Sequence, residues 1–322
     1  MAKTKRSKRK PKKGNKYSFL IFFLLVLAIF SLSIYTMQLV QDFEGPSIKS
    51  PEARKELAQQ KAAVKDSPTK EKVIPAGQTE TVMDFDEFLL DLVSSPEFSH
   101  PTLSVNQEGE LISHSAYSLA YDEENEQAYW VSYKLTADML NGGVKRGNNF
   151  REDPTVSTAS ASPLDYRLSG YDRGHLAPAG DFTYSKSAMD ESFYMSNMSP
   201  QTPAFNRGIW KKLEEQVRYW AKANEEIFVV TGPVIKEKSL TLGQNKVTVP
   251  EYFYKVILDI HPPEYKAIAF LMKNEKSNRP LLDFAISVDS LERFAGLDFF
   301  PMLPDTLEKR LEKSKNHEIW FE

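Results

Sequence analysis

Between Ser169 and Arg218 the sequence gathers the residue types that one hydrolytic reaction would need. Asp172-Arg173-Gly174-His175 comes first. Asn197, Pro200-Gln201, Asn206, Trp210, Leu213-Glu214 and Arg218 follow in that order. The chain has no cysteine, which excludes disulfides, thiolate zinc sites and cysteine nucleophiles. No dense carboxylate cluster accompanies the stretch. Cleaving a phosphodiester takes a general base for water, a hard divalent cation and a cationic clamp on the phosphate. The stretch holds a candidate for each.

His175 is one of five histidines. A histidine in a strand is more often a packed structural residue, yet its neutral ring can accept a proton near neutral pH. Arg173 lies two positions earlier, so in an extended segment both side chains project to one face. A permanent cation there suits an anionic substrate and disfavours protonated His175. Gly174 allows close backbone approach, or serves only a turn. Asn206 opens the next helix, whose Ile209, Trp210, Leu213, Val217 and Trp220 are spaced for one buried face. Asn206 is either a helix cap or, through its amide oxygen, a ligand for Mg²⁺. Glu214 and Arg218 are four apart and can pair on the helix surface, a contact of small worth if nothing else uses it. Glu214 stands eight residues beyond Asn206, about 12 Å along a continuous axis. At that distance it reaches an ion's water shell and not the ion.

Three blocks, D-R-G-H, S-N-x-x-P-Q and N-x-x-x-W-x-x-L-E, resemble in order and spacing the DNA/RNA non-specific endonucleases of the ββα-metal class, in their endonuclease G-like branch. F-R-E-D-P (150–154), T-G-P (231–233), V-P-x-x-F-Y-K (249–255) and S-V-D-S-L-E-R-F-A-G-L-D-F-F-P (287–301) are similar to that branch as well. The resemblance covers roughly residues 110–302. It implies an α+β fold: a mixed, layered β-sheet with flanking helices and a ββα-metal finger. It implies His175 as the general base and Asn206 as the sole direct protein ligand of Mg²⁺, with Mn²⁺ able to substitute. Glu214 would hold the ion's waters. Arg173 and Arg218 would contact the phosphate, with Arg151 a weaker candidate. Asn197 would orient the active-site groups, and Asp172 is matched with a structural part. The implied products carry 5′-phosphate ends, and the implied partner is DNA, RNA or both. A homodimer is left open.

The elements that must position these residues occupy only part of the chain. Residues 1–16 hold nine Lys or Arg and no acid. Residues 17–41 carry no charge and are long enough, at ~1.5 Å per residue, to cross a ~30 Å hydrocarbon core. The basic flank before this run and Asp42 and Glu44 after it place the N-terminus in the cytoplasm and the body outside it, on the periplasmic side of a bacterial inner membrane. The competing reading is a cleaved signal peptide. Its apolar region is usually ~7–15 residues with small residues at the cut, and Ile34 to Gln38 does not supply them. Residues 42–80 read as a flexible tether. Residues 81–304 form the nuclease domain, and 305–322 a charged tail. Within the body, Phe85 to Leu92, Ser290 to Gly296 and Leu307 to Lys315 have helical character. Ser115 to Leu119, Ala128 to Leu135, Ile227 to Thr231, Tyr252 to Ile260 and Tyr265 to Met272 read as strands. The net charge is −3, but without the first 16 residues 32 bases face 44 acids, a balance of −12. A non-specific nucleic-acid binder usually shows a basic face, so here any such face must be a local cleft. The alternative function is a catalytically silent envelope protein that binds a polyanion or a protein through the same fold.

Overall fold

In the computed structural model residues 85–321 are described, apart from 237, 238 and 263. The basic N-terminus, the apolar run 17–41 and the tether 42–80 lie outside them. Among the described residues no helix is long and apolar enough to cross a membrane.

The chain runs from helix α1 (Phe85–Leu92) through strand β1 (Thr102–Leu103) into a meander of β2 (Glu110–Ser113), β3 (Ser118–Asp122) and β4 (Gln127–Thr136). Next come β5 (Asp172–His175), α2 (Lys186–Glu191), β6 (Met198–Gln201), a π-turn segment (Phe205–Trp210) and α3 (Lys211–Ala223). The remainder is β7 (Glu226–Val234), β8 (Thr241–Leu242), β9 (Val247–Thr248), β10 (Tyr252–Asp259), β11 (Lys266–Lys273), β12 (Ala285–Ile286), α4 (Val288–Ala295), β13 (Leu297–Asp298) and α5 (Asp305–Glu312). Seven strands form one sheet in the order β12-β11-β10-β7-β4-β3-β2, and every neighbouring pair is antiparallel. The layered α+β arrangement is therefore present, but its sheet is antiparallel throughout and not mixed.

Period-two alternation gives the sheet two apolar faces. Val131, Tyr133, Val229, Phe253, Ile257 and Phe270 point to one, where Trp210, Leu213, Val217 and Trp220 of the π-turn and α3 pack. Trp130, Phe228, Val230, Val256 and Ala269 point to the other, covered by Leu89 of α1, Val288 and Leu291 of α4, and Leu307 and Leu311 of α5. Each such side chain, fully buried, contributes ~1.5–3 kcal/mol. The expected elements are present with shifted ends, and β2 adds an edge strand that its four residues, alternately exposed, do not announce. Helix α4 begins where Ser287 accepts the Ser290 N–H and stops at Gly296, whose φ of +70° suits a glycine. The segment from Asp305, set apart by its charges as a tail, is docked on the body. Leu307 and Leu311 are buried on the second face, and Trp320 is buried on the first, its carbonyl accepting the Trp220 indole N–H.

Candidate active site

Strands β5 and β6 pair so that His175 faces Met198, Gly174 faces Ser199 and Arg173 faces Pro200. A Cβ on Gly174 would stand 2.2 Å from the buried Gln201 side chain, so the hairpin closes only with glycine there. Asn197, just before β6, is fully buried. Its amide accepts the Ala177 N–H at 2.9 Å and donates to the Ala177 and Ser192 carbonyls, both at 2.9 Å. Its own carbonyl accepts the Leu176 N–H at 3.0 Å. Asn197 thus pins the backbone that follows His175. It is a positioning residue, since its polar atoms are spent on backbone.

The His175 ring sits edge-on to Phe150 at 5.7 Å and Phe193 at 5.0 Å. The residue is 6% exposed, and its Nε2 is buried without a hydrogen-bond partner. Arg173 lies over the Phe150 ring at 4.1 Å, and Arg146 over the Phe193 ring at 5.2 Å. Neither guanidinium makes an ion pair or hydrogen bond among the described residues. Burial first, then the charges of Arg146 and Arg173, push the His175 pKa down to about 3. The shared face of Arg173 and His175 is as the spacing indicates. Arg146 is the cation the sequence reading missed, because nothing in Gly-Val-Lys-Arg-Gly (143–147) marks it. Arg151, taken as a weaker phosphate contact, is engaged elsewhere. It stacks on Tyr194 at 4.0 Å and donates to the Asp190 carbonyl at 2.8 Å.

Asn206 is not a helix cap. It lies inside the π-turn, whose axis breaks at Gly208 (φ −107°, ψ −109°) before α3 starts. The figure of about 12 Å to Glu214 assumed one continuous helix and does not carry over. The Asn206 amide nitrogen donates to Asp172 at 2.9 Å. Asp172 in turn holds Arg207 through two bonds, of 2.8 and 2.6 Å. An ionised carboxylate only accepts, so the Asn206 nitrogen must face it and the carbonyl oxygen must face away. That leaves one oriented amide oxygen as a metal donor. Among the described residues, the carboxylates close enough to cage an ion lie elsewhere, on α4, β13 and α5. A lone amide oxygen suits Mg²⁺, which keeps most of its waters.

Glu214 does not pair with Arg218. Arg218 donates to Asp181 at 2.8 Å, and Asp181 also accepts the Tyr133 hydroxyl at 2.9 Å. Lys255 points from β10 to the same side of the sheet as Phe253 and Ile257. It is fully buried, 4.9 Å from the Trp210 ring, with its ammonium 3.5 Å from the Leu176 carbonyl. Burial holds Glu214 above the usual carboxylate range and Lys255 below the usual lysine range, while their charges, with those of Asp181, Arg218 and Arg146, act on one another. In the sequence Lys255 stands out as the one basic residue in an otherwise largely apolar strand.

A cavity of about 490 Å³ opens over this ground. Arg146, Phe150, Tyr166, Arg167, Asp172, Arg173 and Asn206 are among the residues that line it. His175, Glu214 and Arg218 lie outside its lining. Phe150 belongs to the lining and to the wall of the His175 pocket, so the histidine sits directly behind the cavity surface.

The sequence profile described as DNA/RNA non-specific endonuclease matches residues 94–306. The mitochondrial endonuclease G of Homo sapiens is 36% identical over 207 residues, 60% of this chain and 70% of that protein. Nuclease C1 of Cunninghamella echinulata var. echinulata is 37% identical over 211 residues, 60% of this chain and 84% of that one. A nuclease of a Nostoc species is 31% identical over 236 residues, 69% of this chain and 84% of the relative. The solved structure of an EndoG/EndoGI complex superposes with a TM-score of 0.57 at 36% identity, covering 60% of this chain and 86% of the other. With two thirds of its length matched, and a buried histidine, an oriented asparagine and unpaired arginines around one cavity, the chain belongs to the DNA/RNA non-specific endonuclease family, a family of metal-dependent nucleic-acid hydrolases.

Proposed function

We propose that the chain is a Mg²⁺-dependent endonuclease that cuts DNA, RNA or both without reading bases, held at a membrane by residues 17–41 with its catalytic body outside the cytoplasm. The observation that carries the chemistry is the orphaned Nε2 of His175 behind two arginines that make no ion pair or hydrogen bond among the described residues. Arg146 and Arg173 take the scissile phosphate. Burial first, and then their charge, keeps His175 neutral in the free enzyme. When a phosphate lies against them that repulsion falls, and His175 can accept the proton of the attacking water at Nε2. Asp181 fixes Arg218, leaving the rest of its guanidinium fork for the phosphate. Asn206, turned by Asp172, would hold Mg²⁺, with Glu214 oriented toward the ion's water shell. The ion, when bound, supplies positive charge to the phosphate and to the leaving oxygen. Contacts of this kind address phosphates and carry no base information.

The basic run before residue 17 and the uncharged length after it support the tether and its orientation. A silent binding protein would not need an unpaired buried base beside an unpaired clamp. The deciding experiment incubates the soluble body with plasmid and Mg²⁺, with and without EDTA. Cleavage that EDTA abolishes and added Mn²⁺ restores is expected. An intact plasmid in Mg²⁺ would refute the activity, and full cleavage in EDTA would refute the metal.

A further inference from the structure

The cavity is larger than one phosphate group fills, and part of its lining comes from a turn the reaction does not use. Ser162 to Leu168 is a braced loop. Asp165, 5% exposed, accepts the Ser162 N–H at 2.8 Å, the Asn245 N–H at 3.2 Å and the Asn245 side-chain amide at 2.9 Å. Gly243, at φ +67°, makes room for it, since a Cβ there would stand 2.1 Å from an Asp165 oxygen. Tyr166 packs with Leu242 and Val247 of the β8–β9 hairpin. The loop is therefore fixed from below, and its one carboxylate is committed away from the cavity. Two polar groups of the loop remain without a hydrogen-bond partner, and both residues belong to the cavity lining. Arg167 is exposed, and its guanidinium makes no ion pair or hydrogen bond among the described residues. Tyr166 is 5% exposed, and its hydroxyl is buried without a partner. Three unpaired arginines, Arg146, Arg173 and Arg167, thus share one cavity in a body whose overall balance is acidic.

We infer that the turn from Ser162 to Leu168 is a second phosphate subsite, in which Arg167 and the Tyr166 hydroxyl take the phosphate next to the scissile one along a nucleic-acid strand. The inference rests on the nuclease reading above. It makes the preferred substrate a polymer with consecutive phosphates and not an isolated phosphodiester. Arg167 offers a fork for phosphate oxygens, and Tyr166 a donor that lacks an acceptor.

The test compares kcat/KM on a single-stranded pentanucleotide with kcat/KM on a dinucleotide that has one phosphodiester. Wild type should favour the pentanucleotide. Arg167→Ala should lower that preference by ~10-fold, the loss of one charge-assisted contact, and Arg167→Lys should restore most of it. Arg173→Ala should depress both substrates together and keep the ratio. In a His175→Ala background, which allows binding to be measured without cleavage, Arg167→Ala should reduce the slope of log Kd against log salt by ~0.7 on a single strand. A wild-type ratio and an unchanged slope in Arg167→Ala would overturn the subsite while leaving the nuclease intact. A wild-type enzyme that cuts neither substrate in Mg²⁺ would remove the nuclease reading and the subsite with it.

Discussion

A histidine held to a pKa of about 3 leaves a signature in stability as well as in rate. In the unfolded chain the same ring titrates near ~6.5. Between those values the unfolded state binds the extra proton, so folding stability rises with pH through the window and is complete above ~6.5. His175→Asn removes the titration and keeps a smaller polar group. Its thermal midpoint should therefore fall less than that of wild type as pH drops from ~6.5 toward ~4. Parallel midpoint curves for the two proteins would contradict the buried neutral ring. On activity, His175→Ala should lose ~10²–10⁴-fold while still binding nucleic acid, and wild-type-like turnover would unseat it as the base. Arg146 and Arg151 make a matched pair for kinetics. Arg146→Ala should cost ~10-fold or more in kcat/KM through the phosphate clamp. Arg151→Ala should act through stability, because its guanidinium is bound to the Asp190 carbonyl and stacked on Tyr194. Equal kinetic losses in the two variants would erase that distinction.

The strand pair β5–β6, the π-turn and α3 form the unit that would present the proposed metal ligand, and its weak point is an amide held by one carboxylate. Asp172→Ala lets the Asn206 side chain rotate and releases Arg207, so the Mg²⁺ requirement should rise without loss of the fold. Asn206→Ala should lose activity over the whole Mg²⁺ range. Glu214→Gln should be milder than Asn206→Ala, and Arg218 should stay in place in it, because Asp181 and not Glu214 anchors that arginine. A metal titration of the three variants on one plasmid decides, and an Asn206→Ala enzyme with the wild-type Mg²⁺ curve would reassign the ligand. This unit was the most readable part of the chain, since its residues lie close together in sequence and the hairpin and helix join them directly. Arg146 and Lys255 escaped because a loop before β5 and the long antiparallel sheet deliver them from outside that stretch, and Asp181 because nothing in its local pattern pairs it with Arg218. Local pattern cannot rank such residues. The break at Gly208 was hidden for a different reason: Ile209, Trp210, Leu213, Val217 and Trp220 keep a helical spacing across it, so the buried face survives while the axis does not.

For the whole molecule, charge is sorted by place. Nine cations precede residue 17, the rest of the chain carries a balance of −12, and three arginines that make no ion pair among the described residues are concentrated in one cavity. The acidic body is therefore no obstacle to a nucleic-acid substrate, provided contact is confined to that cavity. The first of these features is the basis of the proposed topology. In spheroplasts, external protease should digest the body and spare the basic N-terminus, whereas a protected body would reverse the orientation. A soluble mature form starting near residue 40 would instead make the apolar run a cleaved signal. The confinement of the arginines governs how the enzyme travels. A body of net acidic charge offers a strand little attraction away from that cavity, which disfavours sliding. Each cut is a separate encounter, and digestion should be distributive: every molecule in a plasmid pool shortens together, with no subset consumed to completion while the rest stays whole.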